Sequence, residues 1–176
     1  MYDYILKRSK RKTISIRIDD TCQIVVRAPM KLSRKEIDKT VAEHTEWIEK
    51  HMPEAQRRME RAAKITPALI KELSIQAKKE IPPLVARYAA IMGVEPTGIK
   101  ITSARKRFGS CNGKNSLCFS CLLMLYPKEA IECVVVHELA HIKHHNHSPS
   151  FYGFIDRVMP DYRIRESLLR KTPDMK

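Results

Sequence analysis

The chain has 176 residues, enough for one ordinary domain, or one with a small appendage, and for a sizeable buried core, which excludes a large multi-domain assembly. Lys and Arg number 33 against 20 Asp and Glu, a formal charge of +13, while 43% hydrophobic residues keep the composition in the globular range and exclude wholesale disorder. An excess this basic points to polyanions (nucleic acid, an anionic membrane surface, acidic proteins), with charge spread over solvated helix faces as the competing reading.

In chain order, residues 2 to 28 read as a short antiparallel β unit. Ile14, Ile16 and Ile18 alternate with polar partners, Asp19-Asp20-Thr21 supplies turn chemistry, and Cys22 to Ala28 forms the next strand. Pro29 closes it. Ser33 and Glu36 make a capping box for a helix carrying Ile37, Val41, Trp47 and Ile48 and ending before Pro53, with a charged helix following to about Lys64. Thr66-Pro67 starts another, expected to break at Pro82-Pro83 and to stop at Gly93. Ile99 and Ile101 then begin a strand pattern, Ser103 to Asn115 is a polar tract, and Leu117 to Leu125 reads as an apolar strand. Pro127 opens a long helix to about His145, Ser148-Pro149 one to roughly Met159, and a last charged helix follows Pro160 to about Lys171. Strands, helices, strands and helices in that order make an α+β fold. The expected organisation is an N-terminal β unit and helix over 1–60, packed on or continuous with a core over 61–176, or a single domain over 1–176.

Residues 137 to 147 read His-Glu-Leu-Ala-His-Ile-Lys-His-His-Asn-His, downstream of the apolar run Ala130, Ile131, Cys133, Val134, Val135, Val136. His137 and His141 are four residues apart, one helical turn, so their imidazoles share a stripe and suit a single metal ion. Glu138 is turned by about 100° from His137, beside such an ion rather than on it, where a general base belongs. A bare His-Glu-x-x-His also arises as a histidine-rich helix end, but histidines on an apolar helix need partners, and a shared metal satisfies both. His144, His145 and His147 compete for third ligand. On a continuing helix His145 lies about 12 Å along the axis from His137, too far for a bond of about 2 Å, and His144 fares little better. Asn146 and Pro149 let the chain double back, which selects His147. Three protein ligands and a fourth position left for water describe a catalytic zinc site, with one Zn2+.

Cys118-Phe119-Ser120-Cys121 is a C-x-x-C without a second pair, on a strand where residues three apart face opposite sides, and reads as buried cysteines. Cys133, a turn before His137, reads as packing. Five cysteines, an odd number, and no leading apolar run with a cleavage site indicate a reduced, cytoplasmic setting. No apolar stretch approaches the roughly 20 residues of a membrane span.

The chain resembles the YgjP-like metallopeptidases, related to the SprT-type and WLM-type zinc proteases of the zincin-like group. The resemblance runs over nearly the whole length: Arg8 to Thr13, Ala28-Pro29, His44 to Lys50, Arg107-Phe108-Gly109-Ser110-Cys111, Val134 to His141, and Asn146-His147-Ser148 with Phe151. Phe108 stands where the family usually has Trp, keeping an aromatic ring without its N–H donor. The resemblance implies a zincin-like core whose metal helix packs on a small sheet, zinc on His137, His141 and His147, and Glu138 as the catalytic carboxylate.

The resulting expectation is a peptidase acting on protein or peptide substrates. The Leu117–Leu125 strand is a candidate rim for pairing with an extended substrate, an interior strand being the alternative. Arg107 is a candidate for oxyanion or substrate-carboxylate contact against a solvated loop arginine, and Asp156 a candidate orienter of a ligand histidine against a surface aspartate. The alternatives in function are a basic nucleic-acid-associated protein with a structural zinc, and a protease acting on nucleic-acid-bound proteins. Lys7 to Lys12 and Arg105 to Arg107 are where the charge concentrates.

Overall fold

The computed structural model describes residues 2–170. The fold is α+β, and the chain divides into two compact units, Met1–Ile65 and Thr66–Lys176.

The first unit holds β1 (Tyr4–Ser9), β2 (Ser15–Ile18), β3 (Ile24–Pro29), α1 (Arg34–Glu43) and α2 (Thr45–Lys64). The strand order is β1-β3-β2. β2 and β3 pair antiparallel, as expected, but β1 lies parallel to β3, so the sheet is mixed rather than antiparallel throughout. Successive strands reverse direction, and β3, the most apolar, takes the centre, which leaves β1 beside a strand running its own way. Cys22 belongs to the turn, not the strand: its φ is 61°, and Asp19 Oδ1 accepts from the N–H groups of Thr21 and Gln23. Ile24, Val26 and Ala28 are buried with Ile37, Val41 and Ile48 of the helices, and Leu6, Ile16 and Ile18 pack on that cluster. The alternate positions present Lys7 beside Arg27, both exposed.

Ser33 and Glu36 form the expected capping box. The helix boundaries differ from expectation. The chain kinks at His44 instead of running to Pro53, and α2 continues through Pro53. That proline is exposed, so water can meet the carbonyl it leaves unpaired, and the buried Ile48 and Ala55 hold one face of α2 on either side of it.

The second unit opens with α3 (Pro67–Met92), whose cap Thr66 accepts from the Leu69 N–H. No break occurs at Pro82-Pro83. Leu73, Ala77, Ile81, Val85, Tyr88 and Met92 are buried at helical spacing straight through the prolines, and this packing outweighs the local penalty of about 3 kcal/mol per proline. Gly93 ends α3 in the left-handed region, φ 61°, as expected. A second sheet follows, of β4 (Gly98–Thr102), β5 (Gly109–Cys111) and β6 (Ser116–Ser120) in the order β4-β6-β5. The strand expected over Leu117–Leu125 is thus halved: Ser120 Oγ accepts from Leu122 N–H and turns Cys121–Leu125 into a 3₁₀ helix. α4 (Lys128–Ala140), α5 (Pro149–Asp156) and α6 (Tyr162–Leu168) complete the unit, and the expected C-terminal limit at Lys171 lies outside the described residues. No helix among the described residues is long and apolar enough to cross a membrane.

Candidate metal centre and catalytic cleft

α4 is buried on nearly every side, from Ala130 to Val136 and again at Glu138, Leu139 and Ala140. Sequence spacing extended this helix to about His145; it ends at Ala140. The N–H groups of Ile142, Lys143 and His144 turn back onto the carbonyls of Leu139 and Ala140, and the His144 carbonyl sits 3.0 Å from His141 Nδ1. This tightened end lets the chain reverse, and Ser148-Pro149 starts α5 immediately afterwards.

The reversal brings three imidazoles together. His137 Nε2 lies 3.2 Å from His141 Nε2 and 3.1 Å from His147 Nε2, and the candidate ligand atoms of all three fall within 4.8 Å of one another. Three nitrogens each about 2.0–2.1 Å from one ion at tetrahedral angles would be about 3.3 Å apart, so the spacing fits a single metal. His144 and His145 do not join the cluster. The His144 ring meets Phe154 edge-on at 5.6 Å, while His145 is exposed at the cleft wall.

Outer partners fix which ring nitrogen faces inward. His137 Nδ1 is 2.8 Å from the Tyr162 hydroxyl, which itself donates to Glu166 Oε1 at 3.3 Å, and His141 Nδ1 donates to the His144 carbonyl. Protons on the two Nδ1 atoms leave both Nε2 lone pairs for a metal. The fully buried Phe151 ring lies 5.0, 4.7 and 4.9 Å from the rings of His137, His141 and His147, a common post for all three. Burial, then the neighbouring His141 and His147, push His137 down to about 4, so it is neutral at physiological pH, the form that ligates. Asp156 is exposed, and the orienting role considered for it falls to Tyr162 and the His144 carbonyl.

Glu138 is buried beside this cluster, and burial raises its carboxyl to about 7 against the opposing pull of Arg107 and the Cys111 backbone N–H. Its close neighbour is β5. A Cβ on Gly109 would stand 2.6 Å from Glu138 Cγ and Oε1, so only glycine lets the strand approach the carboxylate this closely. A cavity of about 360 Å³ is lined by Arg107, Gly109, Ser110, Cys111, Glu138 and the three histidines, with His145 at its wall. β6, considered for the rim, is instead the central strand of its sheet with both edges paired; β5 is the edge strand at the cleft.

Of the cysteines, Cys121 and Cys133 are buried and Cys118 half-buried, and all five are free thiols. Burial pushes Cys133 up to about 12, in keeping with a packing role. Tyr162, Glu166 and Gly109 are the participants that spacing did not reveal. Tyr162 reaches His137 from another helix with no local pattern to mark it, whereas Asn112-Gly113 is a hairpin-turn signal that could have exposed β5.

The family described as YgjP-like, metallopeptidase domain, matches residues 12–72 and 60–172. Among solved structures, the crystal structure of the metallopeptidase zymogen of Pyrococcus abyssi abylysin is similar at 20% identity and a TM-score of 0.46, covering 49% of this chain and 89% of that one. Curated proteins give no match.

Proposed function

The chain belongs to the YgjP-like metallopeptidase family, and on that premise we propose that it is a zinc-dependent peptidase with His137, His141 and His147 as metal ligands and Glu138 as general base. The observation that carries this reading is the convergence of three imidazole Nε2 atoms beside a buried carboxylate in an open cleft. Three neutral imidazoles form the donor set of hydrolytic zinc sites. When bound there, zinc supplies Lewis acidity that lowers the pKa of water to about 7 and polarises a carbonyl.

The remaining work belongs to the chain itself. Glu138, held near 7 by burial, accepts a proton from water at its carboxylate oxygen and returns it to the leaving amine. The Cys111 N–H and Gly109 fix the position of that carboxylate, and Tyr162 keeps the His137 ring oriented. The β5 edge at the cleft offers backbone groups to an extended peptide. Free thiols on all five cysteines accord with a reducing, cytoplasmic compartment. The basic surface leaves a protease working on nucleic-acid-bound proteins as the alternative setting of the same chemistry.

Metal analysis should find about one zinc per chain. Glu138→Gln should retain it and abolish cleavage of a peptide library, whereas His147→Ala should lose it. Cleavage undiminished in Glu138→Gln would refute the proposed base, and full zinc retention in His147→Ala would refute the ligand set.

A further inference from the structure

Next to the catalytic cavity lies a second one of about 340 Å³. The two share Arg107, Gly109 and Ser110, so they adjoin along β5 and the loop before it. The wall of the second cavity is mixed: Ala104, Phe108, Gly109 and Cys118 stand beside hydroxyl residues and an arginine, and apolar surface outweighs polar. The polar residues of that wall are Thr102, Ser103, Ser110, Ser120 and Arg107, with no carboxylate among the lining residues. Ser120 and Thr102 already donate to the carbonyls of Ala104 and Phe119, but Ser103 and Ser110 have no side-chain hydrogen bond among the described residues. Arg107 is exposed, and its charge already acts on Glu138, opposing the rise that burial gives its carboxyl, without a salt bridge between the two. It follows two further cations, Arg105 and Lys106, and the sole carboxylate lining either cavity is Glu138.

We infer that this second cavity is a substrate subsite for a carboxylate, with Arg107 and the Ser103 and Ser110 hydroxyls as its donors, and that the protein prefers peptides that place a carboxylate there. The identity of the ligand as a peptide rests on the peptidase reading; the charge preference rests on the cavity. A planar guanidinium matches a carboxylate in shape and charge, serines on the same cavity wall can add donors, and the positive charge disfavours a lysine or arginine side chain. The carboxylate comes either from an Asp or Glu side chain or from the end of the peptide, and the two sources separate experimentally.

The test is equilibrium binding to zinc-loaded Glu138→Gln protein, with three matched peptides: internal Glu with an amidated end, internal Gln with an amidated end, and internal Gln with a free end. One carboxylate peptide should bind at least about fivefold tighter than the fully neutral one, the size of a favourable, partly screened ion pair, and its identity names the source. That advantage should vanish in the additional Arg107→Gln variant and shrink as salt rises. Equal binding of all three peptides, or an advantage that survives Arg107→Gln, overturns the inference. Binding is read without cleavage, so the two readings fail separately: wild-type protein that cleaves no member of a peptide library while the binding preference persists refutes the peptidase reading alone.

Discussion

Single atoms set the tolerances of the cleft. Gly109→Ala would put a methyl group 2.6 Å from Glu138 Cγ, well inside van der Waals contact, and either the carboxylate or β5 must move. Because displacements of about 1 Å can cost about a hundredfold in rate, the expected outcome is a loss of peptidase activity of that order with zinc content unchanged. Activity within a factor of two of wild type would show that the strand yields without disturbing the base. Tyr162→Phe removes the oxygen that accepts from His137 Nδ1 but keeps the ring, and zinc affinity measured by chelator competition should fall by about tenfold or more. Unchanged affinity would mean that Phe151 packing alone orients the imidazole. The clustering of the three histidines was legible in the sequence because their relation is local: a helical turn sets His137 against His141, and Asn146 with Pro149 announces the reversal that brings His147 beside them. Gly109 and Tyr162 were not, since their roles depend on a strand and a helix meeting α4 from elsewhere in the unit.

At the scale of elements, the position of α6 decides whether Tyr162 reaches His137 on α4. Arg165 of α6 donates to Glu132 Oε2 at 2.6 Å and to Asp161 Oδ2 at 2.8 Å, and Glu132 is a buried acid on α4. Glu132→Ala would leave this arginine, which is itself partly exposed, without its partner on α4. A destabilisation of about 1–3 kcal/mol is expected in urea unfolding, with zinc affinity reduced through the loosened Tyr162. Wild-type stability would indicate that apolar packing alone seats α6. The helix limits expected at prolines and the end expected for α4 differ from the structure for opposite reasons. Pro53, Pro82 and Pro83 are strong local stop signals, but a continuous buried stripe at three- and four-residue spacing carries α3 through its prolines, and such packing is not visible until partners are known. At the end of α4 the error had the opposite sign: His144 and His145 are compatible with a helix, but the chain bonds Ala140 and Leu139 instead.

On the scale of the whole molecule, the basic excess is divided nearly evenly between the two units, so it is not the property of one appended tail. Its most consequential part is small: the run Arg105 to Arg107, of which Arg107 lines both cavities. Fold class followed from element order, yet the parallel placing of β1 did not, because strand order is set by which strand is most apolar rather than by which is next. One feature of the centre bears on how the protein matures. All three imidazoles come from the short stretch His137 to His147, so closing that chelate costs little loop entropy and needs no distant segment. The surroundings of Glu138 and His137, by contrast, depend on β5 and α6 having docked. On the proposed ligand set, a newly made chain would capture its ion early, as a local event, and gain hydrolytic competence only when the surrounding unit has closed around it.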